Sequence, residues 1–382
     1  MPRFARMLAE GMNKRGHSVK TWSPQPLFFR LPLPRRLRKW LGYLDQYLIF
    51  PRVVKSRLKQ CPADTLFVFT DQALGPWVPL LAGRVHAIHC HDFLAQRSAL
   101  LEIPENPTGW TGRQYQAFIR RGYSKGKHFI SVSQKTKEDL HRFLPSSPCC
   151  SEVVYNGLNQ SFVPYNAVAA RTSLGKKTGL ELSSGFLLHV GGNYWYKNRS
   201  GVIKMYNAWR SAGGSTLPLL LVGETPTQSL LKTYLESSFK SDIHFISGLE
   251  DEFVRQAYAG ALVLVFPSLA EGFGWPIAEA MASGCPVITT NEAPMTEVAG
   301  NVGFFIPCYP QDESRTGEWA ADAAKMINKV LSLAPSERKA VVEAGLVNAS
   351  RFDSDVALDR IEAIYRNILQ QPKNLEYSGL QT

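Results

Sequence analysis

Glu271 and Glu279 lie on one short stretch, Glu271-Gly-Phe-Gly-Trp-Pro-Ile-Ala-Glu279-Ala-Met-Ala-Ser-Gly284, with seven residues between them. Carboxylates accept hydrogen bonds from hydroxyls, which a sugar and a ribose both carry. Gly272 and Gly274 let the backbone approach a ligand closely, and loop amides at a helix N-terminus suit phosphate. A carboxylate on the loop and one on the helix can then reach two parts of one extended ligand. Gly191-Gly192-Asn-Tyr-Trp-Tyr-Lys197-Asn-Arg199 offers a second anion-friendly turn, with Lys197 and Arg199 as cations. Gly223-Glu224 ends a further strand. His89-Cys90-His91-Asp92 ends another, and its two histidines share one face. No further ligand cluster accompanies them, so zinc is not expected. Each feature has a plain alternative. Glu271 can be solvated, Glu279 can cap its helix, the glycines can merely turn, the basic loop can be exposed and His91 can be structural.

The elements that must position these residues follow a repeating pattern. The apolar run 261–266 reads as a buried strand of a parallel sheet. Pro276 stands where a helix begins, Gly284 where it stops, and 285–290 reads as the next strand. Upstream, Phe4, Met7, Leu8 and Met12 share a helical face that Gly16 ends. Strands are expected at 17–22, 65–70, 85–89, 129–133 and 153–157, with helices opening at Gly109 and spanning 135–143. The small, polar and basic stretch 164–184 reads as a linker. Beyond it come strands at 186–190, 219–222, 243–246 and 303–306, and helices at 250–259, 317–333, 335–348 and 356–370.

At 382 residues and 45% hydrophobic content, two domains with two cores are expected. No apolar run approaches the ~18 residues that span a bilayer. The six cysteines form no C-x-x-C pair and Cys149 and Cys150 are adjacent, which favours reduced thiols and a cytoplasmic protein. The net charge of +11 is local. Residues 1–60 hold 14 Lys and Arg against Glu10 and Asp45, while the rest holds 29 basic and 30 acidic residues. Such a field suits an anionic surface. Within residues 30–60, Arg35 to Lys39 beside Trp40, Tyr43, Tyr47 and Phe50 fits either a membrane interface or a solvated face over leucines packed on the first sheet. Nucleic acid is not an expected partner, because no stacking platform accompanies the charge.

Taken together, these segments resemble glycosyltransferase family 4. Glu271–Gly284 is similar to its E-x7-E signature, and Pro286–Gly300 to its following strand and "PE-V-G" segment. The first helix and strand are similar to "LAxxLxxRGHxV", His91-Asp92 to its "HD", Val132-Ser133 to its "VS" and Asn156-Gly157 to its "NG". The likeness misses only the family's first strand and glycine-rich turn, which would lie upstream of Met1. Either the true start lies upstream or the chain is a truncated remnant. A domain without that central strand should be poorly stable.

The resemblance implies the GT-B fold: α/β, two Rossmann-like doubly wound domains facing a cleft. The expected boundaries are 1–165 for an acceptor-side domain, 166–184 for a linker and 185–355 for the nucleotide-sugar domain. Residues 356–370 would cross back as a helix, and 371–382 would be a disordered tail. It implies retaining transfer of a hexose-type sugar from a UDP- or GDP-linked donor to a glycan or lipid-linked glycan acceptor, with no cofactor and no required metal. His91, Lys197 and Glu271 would be catalytic. Gly191, Gly192, Lys197, Arg199 and Gly223 would line the diphosphate and nucleotide. Glu271, Gly272, Phe273 and Gly274 would hold the sugar, and Glu279 the ribose. Gly192 stands where many family members have arginine, so Arg199 is the candidate replacement. Envelope polysaccharide or lipopolysaccharide synthesis, peripheral on the inner membrane face, is the expected setting. A nucleotide-sugar epimerase of the same architecture and a non-catalytic remnant are the alternatives.

Overall fold

The computed structural model describes residues 2–32, 34–158 and 162–370, so the 371–382 tail lies outside the described residues. The chain builds two parallel sheets. The first has β1 (Phe67–Phe69), β2 (His86–Cys90), β3 (His128–Ser131) and β4 (Cys150–Val153), in the order β1-β2-β3-β4. The second has β5 (Leu187–Val190), β6 (Leu219–Gly223), β7 (Ile243–Ser247), β8 (Val263–Phe266), β9 (Val287–Thr290) and β10 (Phe304–Ile306). Its order is β10-β9-β8-β5-β6-β7.

Continuous apolar strands explain the second sheet. Leu187, Leu219 and Leu221 point into one core with helices Arg199–Ser211 and Thr316–Leu331. Leu188, Leu220 and Val222 point into the other, with helices Asp251–Gly260 and Trp275–Ala282. β5 pairs with β6 on one side and β8 on the other, so the strand order reverses there. A crevice opens at the carboxyl ends of strands at such a switch point. The loops after β5 and β8, which carry the Lys197 and Glu271 segments, emerge at that crevice.

Three segments differ from the sequence reading. Residues 17–22 are irregular and largely exposed, and pair with no strand among the described residues. The fourth strand of the first sheet lies at Cys150–Val153, several residues before the expected 153–157. The expected linker holds the helix Ala167–Thr178, N-capped by Asn166 and ended by Gly179 at φ 72°. Its small, polar and basic composition hid a narrow buried stripe, Ala170 and Leu174. Arg171 fixes the helix to its neighbour by donating to the Gly260 carbonyl at 2.8 Å.

The helix Ser354–Gln370 leaves the second unit and completes the core of the first. Leu358, Ile361, Tyr365 and Ile368 pack with Phe4, Leu8, Met12, Ala87 and Ile130. Arg15 pairs with Asp359 at 2.6 Å, and Tyr365 hydroxyl meets His89 Nε2 at 2.5 Å.

Candidate active site

The loop between β8 and the helix Trp275–Ala282 is shaped by backbone and by Ser268. Gly274 takes φ 102° at the helix N-cap, a conformation that favours glycine. Pro276 fills the first turn, where a missing N–H costs nothing. Buried Ser268 contacts both the Tyr196 carbonyl (2.8 Å) and Glu271 Oε1 (2.7 Å). The Leu269 amide donates to the Tyr196 carbonyl at 2.8 Å. These bonds stitch the β8 loop to the β5 loop. Asn198, at φ 50°, donates from Nδ2 to Pro267 O and caps the Arg199–Ser211 helix through Oδ1.

The stitch brings Lys197 Nζ to 2.6 Å from Glu271 Oε1. Their side chains are 13% and 9% exposed, so solvent screens the pair weakly. Nζ also lies 4.9 Å over the Phe266 ring. Glu279 sits on the following helix, where the Tyr258 hydroxyl donates to its Oε2 at 2.8 Å. Tyr258 is fully buried, and burial pushes its hydroxyl pKa well up, so it remains a donor.

Gly272 faces the first sheet. A Cβ there would lie 1.9 Å from the His91 carbonyl oxygen and 3.0 Å from Asp92 Cβ. Its carbonyl accepts from Ser133 Oγ at 2.7 Å, with Thr136 Oγ1 at 3.2 Å. The β8 loop is therefore seated against both the end of β2 and the start of the helix Gln134–Phe143. His91 is buried against Phe4, ring centroids 4.6 Å apart. Its Nε2 donates to the Thr70 carbonyl at 2.9 Å, which fixes the proton on Nε2 and leaves Nδ1 with the lone pair. Burial holds its pKa below the ordinary histidine value.

Gly191 and Gly223 meet back to back. Gly223 has φ 150°, and a Cβ on it would lie 2.1 Å from the Gly191 carbonyl. A Cβ on Gly192 would sit 3.2 Å from the Glu224 carboxylate. Arg199 does not join Lys197. Its Nη1 donates to Asn193 Oδ1 (2.5 Å) and the Glu224 carbonyl (2.9 Å), while Nε and Nη2 are buried without partners. Burial lowers its pKa. It braces the Gly191–Asn193 turn through these two bonds and also lines the cleft beside it. The Phe273 ring is buried among Tyr155, Trp275 and Phe352, so only its backbone faces the loop. Sequence reasoning gave no site role to Thr136, Tyr258 or Ser268, and placed Ser133 only as part of the "VS" segment. All four lie outside the Glu271–Gly284 stretch, Ser268 three residues before it.

A cleft of about 630 Å³ adjoins this site. Arg97, Glu102 and Ile103 line it from the first unit, and Asn193, Trp195, Ala270 and Tyr309 from the second. Glu271, Gly272, Glu279 and His91 do not line it. The Lys197–Glu271 pair and the Gly272–His91 contact lie at the neighbouring loop instead. Among the described residues no group of three or more His, Cys, Asp or Glu could hold a metal ion, and no helix is long and apolar enough to cross a membrane.

Residues 1–162 match the family described as Glycosyltransferase Family 4, and residues 171–345 match Glycosyl transferases group 1. The chain belongs to glycosyltransferase family 4. Among its family relatives, the O-antigen chain mannosyltransferase RfbU of Salmonella typhimurium is 26% identical over 52% of this chain. That match spans 51% of RfbU, about half its length. The lipopolysaccharide glucosyltransferase WaaG of Escherichia coli is 26% identical over 74% of each chain. The solved WaaG structure superposes with a TM-score of 0.66 at 18% identity over 95% of each chain. Sucrose-phosphate synthase of Thermosynechococcus elongatus gives 0.68 at 18% identity, over 96% of this chain and 92% of its own. The fold is GT-B.

Proposed function

We propose that this family-4 protein is a retaining transferase that moves a hexose-type sugar from a UDP- or GDP-linked donor to an acceptor hydroxyl, without a metal. One observation carries the reading. The Lys197–Glu271 pair at 2.6 Å sits beside a glycine loop seated on the His91 backbone, with Glu279 one helix turn beyond. In this reading the donor lies across the carboxyl ends of β5 and β8. Glu271 and the amides of Gly272 to Gly274 hold the sugar, and Glu279 takes the ribose hydroxyls. The Gly191–Gly192 turn, held close against Gly223, takes the diphosphate.

The anomeric carbon–oxygen bond breaks toward the diphosphate, whose growing negative charge meets Lys197 and the N-terminus of Trp275–Ala282. The acceptor oxygen, entering along the cleft lined by Arg97 and Glu102, bonds to the same carbon. Its proton leaves with the departing phosphate. His91, neutral at physiological pH, bounds the sugar pocket. Closure of the two domains excludes water that would hydrolyse the donor.

RfbU and WaaG are named for O-antigen and lipopolysaccharide hexose transfer, which supports an envelope glycan as acceptor. A surface of the first domain supports a lipid-bound acceptor at the inner membrane face. Leu27, Phe29, Leu31, Trp40, Leu44 and Leu48 are exposed, together with Trp110 and Phe118. The Tyr47–Tyr115 hydrogen bond (2.8 Å) and the Tyr47–Phe118 ring contact join the two segments into one face. Arg36, Arg38, Lys39, Arg113 and Arg121 are exposed on the same two segments. Apolar and cationic groups together suit an anionic bilayer surface. The test is incubation of donor with isolated envelope glycan. Nucleotide diphosphate released only when acceptor is present, with the anomeric configuration of the donor kept in the product, supports the proposal. Release without acceptor at the same rate, or an inverted product, contradicts it.

A further inference from the structure

A carboxylate of the second domain caps a helix of the first. Glu297 lies on the short helix Met295–Ala299 after β9. Its Oε2 accepts from the Gln134 amide at 2.7 Å and its Oε1 from the Lys135 amide at 2.8 Å. Oε2 also accepts from the Tyr155 hydroxyl at 3.2 Å. Gln134 and Lys135 open the helix Gln134–Phe143, and Ser133 Oγ accepts from the next free amide, that of Thr136. The first turn of this helix is thus satisfied partly by its own N-cap and partly from across the domain boundary. Arg351 braces the Glu297 backbone. It donates to the Glu297 carbonyl at 3.3 Å and stacks 5.4 Å over the Tyr155 ring.

The same helix end holds the Gly272 carbonyl through Ser133 and Thr136. A carboxylate at a helix N-terminus is favoured by the helix dipole and by charge-assisted hydrogen bonds. We infer that Glu297 is a positioning residue that clasps the first domain's helix onto the Glu271–Gly274 loop and fixes the closed arrangement of the two domains. Its geometry stands independently of the transferase reading, and its effect on turnover rests on that reading. With Glu297 removed, the helix end keeps only the Gly272 contact, the domains part more readily, and water reaches the donor.

The test is a double-mutant cycle across the boundary. Glu297→Ala removes the acceptors. Gln134→Pro removes one donor from the other side. Proline is accommodated at the first helical position, and Ser133 before it is already extended at φ −156° and ψ 163°. Each single variant should show a larger radius of gyration by X-ray scattering. Each should lower kcat on the order of tenfold and raise donor hydrolysis relative to transfer, with donor KM within about threefold of wild type. The double variant should match Glu297→Ala alone, because both changes break one contact. Scattering needs no turnover, so it judges the clasp even if the wild type uses no donor, a result that would sink the transferase reading alone. Wild-type scattering in both single variants overturns the inference. So do unchanged kcat and hydrolysis in an opened variant, or losses that add in the double variant.

Discussion

Lys197 and Glu271 lie 74 positions apart, and the structure makes one ion pair of them. Removing one member leaves the other largely buried and unpaired, which costs about 3–5 kcal/mol. Lys197→Met should therefore lower stability by about 3 kcal/mol in urea titration. In the proposed reaction it should also lower kcat on the order of a hundredfold, through lost stabilisation of the leaving diphosphate. Wild-type kcat in a folded Lys197→Met protein would exclude this lysine from the chemistry. Buried histidines make a second prediction. Burial lowers the pKa of His89 and of His189 to about 3, against 6.5 when exposed. The unfolded chain then binds more protons than the folded one as pH falls below 6.5, so stability drops on acidification. At pH 5 each histidine contributes a loss of about 2 kcal/mol relative to neutral pH. Asp71 and Asp92, whose pKa values burial raises, oppose this. His189→Asn keeps a nitrogen toward the Val265 carbonyl and does not titrate. The acid loss in that variant should be smaller by about 2 kcal/mol in urea midpoints at pH 7 and pH 5.

At the scale of elements, the first domain depends on one close crossing. A Cβ on Gly122 would lie 2.1 Å from the Gly75 carbonyl, and one on Gly75 would lie 2.2 Å from the Ile119 carbonyl. The helix Trp110–Tyr123 thus touches the turn Gln72–Leu81 backbone to backbone. Gly122→Ala should separate them and cost about 1–3 kcal/mol, visible as a lowered thermal midpoint. An unchanged midpoint would mean the crossing relaxes freely. Neither glycine looked special in the sequence, because what crowds Gly122 lies 47 positions away. The β8–loop–helix–β9 unit was legible, since an apolar run, Pro276 and Gly284 act locally. The helix Ala167–Thr178 was not, because two buried residues give too weak a period to outweigh a small, polar and basic composition. The 17–22 segment has strand-like residues, but a strand also needs a ladder partner, which no local pattern supplies. Ser133, Thr136 and Glu297 meet the loop or its seat only through tertiary packing. The burial of Arg199 was not legible either, because charge is visible in sequence and burial is not.

For the whole molecule, two domains meet along a seam that carries the candidate site, and one domain presents a basic, apolar face. If that face docks on lipid, the protein should sediment with vesicles containing anionic lipid and far less with neutral ones. Trp40→Asp with Trp110→Asp should weaken that binding on the order of tenfold, since two large exposed side chains supply much of the apolar contact. Equal sedimentation with both vesicle types would remove the lipid assignment. The central claim is that Glu271 to Glu279 forms a donor site. The most direct measurement is a thermal-shift panel of UDP-, GDP- and ADP-sugars on the wild type and on Glu279→Ala. A ligand at about 100 times its dissociation constant adds about 2.7 kcal/mol to a folded protein. On that claim, one nucleotide class raises the wild-type midpoint and Glu279→Ala, still folded, loses the response. A folded wild type that answers to no nucleotide-sugar, or a shift that survives Glu279→Ala unchanged, would contradict it.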